Sequence, residues 1–295
     1  MKKYLAKLIP SNIKKSPHFL YKKIYLEYLL GYKYKLKKQL NQKNSSSNIK
    51  NGKNKKILVP IFETSHYQHL QILIIAKALQ MRGHKIKILV CDEFLNGCEI
   101  KSVRNKNISD KCWKCRFHQK NIIPLFGFEV LKLSDLISKN ENDGLLIEAS
   151  SHLSSKDLKL IKYGIDLYQS VNDSVIRYFY GAVPVDKAIV EKVKLNHIHT
   201  ALLSLETSKK IIEKWKPDIA LGNMYTYSTW EPMFKYFRQL GVDYNSLSIS
   251  QFDYNSILIN QFEIYENTER YKQFLNARNK TRLNKSEKYD LKLFF

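Results

Sequence analysis

Four cysteines fall within 25 residues, Cys91 and Cys98 in CDEFLNGC and then Cys112 and Cys115 in CWKC. Four thiolates, two of them a CxxC pair, suit a tetrahedral Zn²⁺ site, because soft sulfur satisfies the ion and the short pair fixes two corners of the tetrahedron. Six residues separate the first pair, a departure from the common double CxxC ribbon. An iron-sulfur cluster would draw on the same ligands and is the less favoured cofactor. A site closed by four protein ligands leaves no position for substrate, so the expected role is structural, bracing the segment between the two pairs. The same residues allow plainer readings. Cys91 ends an apolar run and can be an ordinary core cysteine, and the CxxC pair alone can be redox-active or inert.

Other side chains could move protons or hold a ligand. His66 and His69 flank Tyr67 after the apolar run ILVPIF. An imidazole there can take a proton from a hydroxyl, or it can be solvated or cap the next helix. Asn223, Tyr225, Tyr227, Thr229, Trp230 and Glu231 crowd the stretch Gly222–Pro232, and aromatics beside amides and hydroxyls suit a sugar ring. The chain is rich in aromatics throughout, so composition alone can produce such a loop. Arg177 in SVIRYFYG can hold a phosphate or carboxylate, or make a local ion pair. His84 follows Gly83 at a helix end and reads as structural. Neither GxGxxG nor GxxxxGK[ST] occurs, which weighs against an NAD enzyme and a P-loop NTPase.

These groups need a scaffold, and the pattern supplies one. ILVPIF reads as a buried strand, SHYQH as a loop, Leu70–Met81 as an apolar helix stopped at Arg82-Gly83, and KIKILV as a second strand. Strand, helix and strand within about 35 residues make a βαβ unit and hence a parallel sheet. The same grammar returns with a helix around Thr200–Trp215, a strand Ile219–Leu221, a helix from about Glu231 to Leu240 ending at Gly241, and the strand VDYNSLSIS. Between the two units, Asp135–Leu203 is mostly helical in pattern. The expected fold class is α/β, a doubly wound parallel Rossmann-like sheet. In such sheets, loops after the strands' carboxyl ends hold ligands.

Charge and composition bound the rest. The formal charge is +23, and residues 1–56 hold sixteen lysines against one acid, Glu27. The excess is therefore mainly a property of the N-terminal segment. Residues 1–40 read as a basic helical extension, amphipathic from Phe19 to Leu40, fit to lie on an anionic membrane surface or to dock on its own domain. Residues 41–56 read as a polar linker, 57–260 as the Rossmann-like domain, and 261–295 as a polar tail or the start of a truncated second domain. No run of about 18 apolar residues and no signal-peptide pattern occurs, so the expected location is cytoplasmic, peripheral at the inner face of the membrane.

The run from Ile57 to Glu99 resembles the opening unit of GT-B glycosyltransferases, specifically the capsule and surface-polysaccharide biosynthesis group. The residues that carry it are ALQMRGH at Ala78–His84, CDEFLNGCE at Cys91–Glu99, and the CxxC of Cys112 and Cys115, with SVIRYFYG and KPDIALGNMYTYSTW later. The resemblance covers about Ile57–Asn260. It implies transfer of a sugar, retaining or inverting, from a nucleotide sugar to a polysaccharide or lipid-linked acceptor. It places His66 first as base or acceptor contact, with Glu63 and Glu231 behind it; Tyr67, Arg177, Asn223, Tyr225 and Trp230 are the expected substrate contacts. It also implies that this chain carries the acceptor-side domain, so that a donor-binding domain or subunit would complete the enzyme. Two alternatives stand beside it: a zinc-containing nucleic-acid-binding protein, disfavoured because the cysteines sit in an α/β layer, and an inactive scaffold pairing with a donor-binding chain.

Overall fold

The computed structural model describes residues 54–62, 66–102, 112–154, 159–184, 186–249 and 257–261, together with 31, 33–35, 37 and 38. For 66–68, 248, 249 and 257–261 it gives the backbone path alone.

Six strands form one sheet in the order β3-β2-β1-β6-β7-β8. They are β1 (Lys56–Ile61), β2 (Lys85–Val90), β3 (Glu129–Lys132), β6 (Ile219–Gly222), β7 (Asp243–Ile249) and β8 (Ile257–Gln261). The first five run parallel and β8 closes the edge antiparallel. β1 is apolar from Ile57 onward, and five of its six residues are buried. That is the expected signature of a parallel strand covered on both faces, and it is why ILVPIF does not alternate.

The cover is helical on both sides, so the chain is an α/β, doubly wound, Rossmann-like fold. On one face α1 (His66–Met81) sets Ile72, Leu73 and Ala76 against Ile57, Val59, Ile61 and Ile88, joined by the 3-10 turn Ile123–Phe126. Near that turn lies α2 (Trp113–Asn121). On the other face α6 (Lys187–Lys214) buries Ala201, Leu202, Leu203 and Leu205. Four nearly consecutive apolar residues bury so completely because this helix is packed on several sides, by α4 (Lys139–Ser154), α5 (Tyr168–Tyr178) and α7 (Tyr227–Gln239). A short helix α3 (Leu133–Leu136) and a two-strand hairpin, β4 (Ile161–Lys162) with β5 (Ile165–Asp166), complete the element order.

Two helices begin earlier than their apolar periodicity suggests. The expected loop SHYQH is the first turn of α1 from His66 onward, and α7 starts at Tyr227 rather than near Glu231. Both starts are polar or aromatic, so their helicity is set by neighbouring packing rather than by a hydrophobic stripe. The sheet is tied at its base by Asp218, whose carboxylate accepts from the Lys56 amide at 2.8 Å while its own amide donates to the Lys56 carbonyl at 2.9 Å.

Among the described residues no helix is long and apolar enough to cross a membrane. Most of the basic N-terminal stretch lies outside the described residues. Where it is described, at 31–38, it is helical, and Lys33 Nζ donates to Asn121 Oδ1 at 2.9 Å, so this part touches the end of α2.

Candidate functional site

The strand order reverses at β1 and β6: the chain leaves β1 toward α1 on one face and leaves β6 toward α7 on the other. Such a switch point opens a crevice outside the strands' carboxyl ends. The β6 side carries the better-formed concavity, of about 410 Å³, lined by Asp173, Ile176, Arg177, Tyr180, Gly181, Thr226 and Tyr227. Two elements build it, the end of α5 and the start of α7.

α5 stops in a Schellman turn, with the Gly181 amide donating to the Ile176 carbonyl at 2.9 Å and the Tyr180 amide to the Arg177 carbonyl at 3.1 Å. The left-handed residue of that turn is usually glycine. Here it is Tyr180 at φ 54°, and its ring lies 4.7 Å from the Arg177 guanidinium carbon. A second left-handed tyrosine, Tyr227 at φ 71°, faces it from the first residue of α7. Two strained non-glycine residues in one wall mark a place where side-chain identity outweighs backbone comfort, at a cost of about 1–3 kcal/mol each.

The charges are laid out along α5. Asp173 and Arg177 are one turn apart, so their heads point to the same side of the helix. Asp173 Oδ1 accepts from Gln169 Nε2 at 2.7 Å. At the opposite wall Thr226 is the N-cap of α7 and makes no side-chain capping bond, and the positive end of the helix dipole there favours an anion. One turn further along α7, Glu231 is half-buried, its side chain 14% exposed, and ion-paired with Lys235 at 2.7 Å. Burial raises its carboxyl above the usual range, opposed by Lys235 and reinforced by the charges of Asp173 and Asp166.

A buried hydroxyl relay holds the two walls together. The Ser228 amide donates to Ser174 Oγ at 2.8 Å, and Ser174 Oγ donates to the Ser170 carbonyl at 2.9 Å. Ser228 Oγ lies 2.9 Å from His197 Nδ1 on α6. Burial lowers His197 from 6.5 to about 4, so the imidazole is neutral and serves as a hydrogen-bonding partner. Glycine shapes the region twice. A Cβ on Gly222 would lie 2.2 Å from the Tyr244 hydroxyl, which passes there to donate to the Met224 carbonyl at 2.6 Å. A Cβ on Gly97 would meet the Asn196 carbonyl and His197 Nδ1, each at 2.9 Å.

Of the residues singled out in the sequence, Arg177 and Tyr227 line the concavity and Glu231 stands one turn from it. Asn223 and Tyr225 are half-buried between β6 and α7, with Tyr225 packed on the core. Trp230 is fully buried, 6.1 Å from the Phe62 ring, so it is a core residue and cannot stack on a sugar. His66 and Tyr67 open α1, their side chains beyond description, and Glu63 lies outside the described residues. Asp173, Tyr180 and Thr226 complete the site. The visible signal for Tyr180 is a Tyr-Gly pair closing a helix, where glycine alone is the common choice.

The expected four-thiol zinc site does not assemble among the described residues. Cys91 and Cys98 are 8% and 7% exposed within the apolar core, and desolvation pushes both thiols up, Cys91 to about 12. Among the described residues no group of three or more His, Cys, Asp or Glu could hold a metal ion. The zinc-based nucleic-acid reading falls with it.

No protein-family model and no curated protein matches the sequence. Solved structures do match. A cyclodipeptide synthase from Fluoribacter dumoffii aligns with TM-score 0.38 and 12% identity over 64% of this chain and 85% of its own. Cyclo(L-leucyl-L-phenylalanyl) synthase aligns with TM-score 0.37 and 12% identity over 61% and 82%. Tyrosyl-tRNA synthetase from Archaeoglobus fulgidus, solved with L-tyrosine, aligns with TM-score 0.34 and 13% identity over 71% of this chain and 55% of its own. The comparisons give the expected membership of the GT-B capsule group no support, and the nucleotide-sugar donor, the polysaccharide or lipid-linked acceptor, the donor-domain subunit and the sugar-transferring role that followed from it are withdrawn.

Proposed function

We propose that the chain is a ligand-binding α/β domain whose site, between the end of α5 and the start of α7, takes a small amino-acid-like ligand. The observation that carries this reading is the pairing of Asp173 and Arg177 one turn apart in a single concavity walled by two left-handed tyrosines. A carboxylate pairs with the Arg177 guanidinium, whose forked donors match it. The neighbouring ammonium pairs with Asp173, and Ile176, Tyr180 and Tyr227 receive the side chain. The Thr226 hydroxyl adds a donor for the anionic end.

Glu231, ion-paired with Lys235 one turn along α7, adds negative charge beside the ammonium end of the site. The test is calorimetric titration of the full chain with L-phenylalanine, L-leucine and L-glutamate, beside N-acetyl-L-phenylalanine amide and inorganic phosphate. Free amino acids bind and the capped amide does not. Binding of phosphate with no response to amino acids would replace this ligand class by a phosphorylated one.

A further inference from the structure

On the opposite face of the sheet, the CxxC motif is laid out for thiol chemistry. Cys112 is the N-cap of the nine-residue helix α2 and Cys115 is in its first turn, and the Arg116 amide donates to the Cys112 carbonyl at 3.0 Å, closing that turn. Residues three apart on a helix bring their Cβ atoms to about 5–6 Å. A disulfide needs about 3.8 Å, a difference the flanking N-cap residue can supply by rotating. Both thiols are partly exposed, whereas Cys91 and Cys98 are buried. The helix N-terminus and Lys114 put positive charge beside the pair, Arg116 being ion-paired with Glu93 at 2.6 Å.

A second, independent observation concerns what Cys115 faces. It lines a small cavity with His69, His118, Gln119, Ile61, Phe62 and Ile123. His118 is three residues further along the same helix, and His69 comes from α1, its ring 5.9 Å from that of His118 in edge-to-face contact. Both imidazoles are almost fully buried. The cavity measures about 10 Å³, room for about one water, so an incoming disulfide must be met from the solvent side by Cys112.

We propose that Cys112 and Cys115 form a disulfide-exchange centre for low-molecular-weight disulfides, with Cys112 as the attacking thiol and Cys115 as the resolving one. The Cys112 thiolate attacks one sulfur of RSSR; a Cys112–SR bond forms, the S–S bond breaks, and RS⁻ leaves and is protonated by solvent. Cys115 then gives its proton to His118 or His69 and attacks Cys112 Sγ. The Cys112–Cys115 bond forms and a second RS⁻ departs, taking the proton from the imidazole. The net change is RSSR plus two protein thiols giving two RSH and one protein disulfide, a two-electron oxidation of the pair. This centre is independent of the amino-acid site.

The reduced full-length chain is incubated with glutathione disulfide at neutral pH, alkylated and mapped by mass spectrometry, with the urea-unfolded chain alongside. The expected wild-type product is an intramolecular Cys112–Cys115 disulfide with Cys91 and Cys98 alkylated only after unfolding. Cys112 should react about ten-fold faster than in the unfolded chain. In Cys115→Ser a single glutathione should accumulate on Cys112, and in Cys112→Ser the glutathione adduct should form about ten-fold more slowly. His118→Gln should slow the closing step and spare the first. A folded wild-type chain that keeps both thiols while the unfolded chain oxidises, or that pairs Cys115 with Cys91, overturns the proposal; either is read from the wild type alone, whatever the variants' folding.

Discussion

Ser228 Oγ lies 2.9 Å from His197 Nδ1, and the Ser228 amide is bound to Ser174, so the start of α7 is pinned simultaneously to α6 and α5. Ser174 adjoins Asp173 and Ser228 adjoins Tyr227. The relay thus sets the distance between the two walls of the concavity, far from any ligand contact of its own. Removing the hydroxyl in Ser228→Ala leaves His197 buried against an apolar group, and should cost about 1–3 kcal/mol in denaturant unfolding.

The same contact makes stability depend on acid. His197 titrates near 6.5 when exposed and near 4 in the fold. A histidine with a lowered folded value contributes stability that is present above its unfolded value and lost as pH falls toward its folded value. Unfolding free energy should drop by roughly 2 kcal/mol between pH 7 and pH 5 from this residue. His199, also lowered by burial, acts in the same direction. His197→Gln should flatten that slope; a slope unchanged by the substitution would remove His197 as its origin.

Gly97→Ala places a methyl group 2.9 Å from the Asn196 carbonyl, which belongs to the backbone of α6 and cannot swing aside. The loop and helix must part, at a cost of about 1–3 kcal/mol. Thermal unfolding should report a lowered midpoint, accompanied by loss of the Gly97 amide to Thr200 Oγ1 bond at 3.0 Å, visible as faster exchange of that amide.

Tyr180 separates stability from binding. Tyr180→Gly removes the left-handed strain and should raise stability by about 0.5–1 kcal/mol, whereas Tyr180→Ala keeps the strain, loses the ring over Arg177 and should lower it. Both should weaken amino-acid binding. If glycine and alanine shift the unfolding midpoint in the same direction, the strain argument is wrong.

The parallel sheet was legible because the apolar run ILVPIF, a helix stopped at Gly83 and the largely apolar KIKILV follow one another within about 35 residues. β3 was not, since EVLK is four residues long and partly exposed, too short to carry a period. The hairpin Ile161–Asp166 was hidden inside a helical stretch for the same reason. At the site, Arg177 stood out by charge, but Asp173 and Tyr180 gain their meaning only from a helix phase and a left-handed turn that composition does not reveal. The closeness of the cysteines in sequence suggested one four-thiol site, whereas Cys91 and Cys98 are buried in the core and Cys112 and Cys115 are partly exposed at the start of α2, with Cys115 near enough to Cys91 for its charge to act there.

The central claim is that Asp173 and Arg177 bind the two charged ends of one amino-acid-like molecule. The direct measurement is the affinity of L-phenylalanine for the wild type, Asp173→Asn, Arg177→Ala and the double variant by calorimetry. Each single substitution should weaken binding at least about ten-fold, the double should remove it, and the N-acetylated, amidated analogue should bind none of the four. Equal affinity of the wild type and both single variants, or equal affinity for the capped analogue, would contradict it.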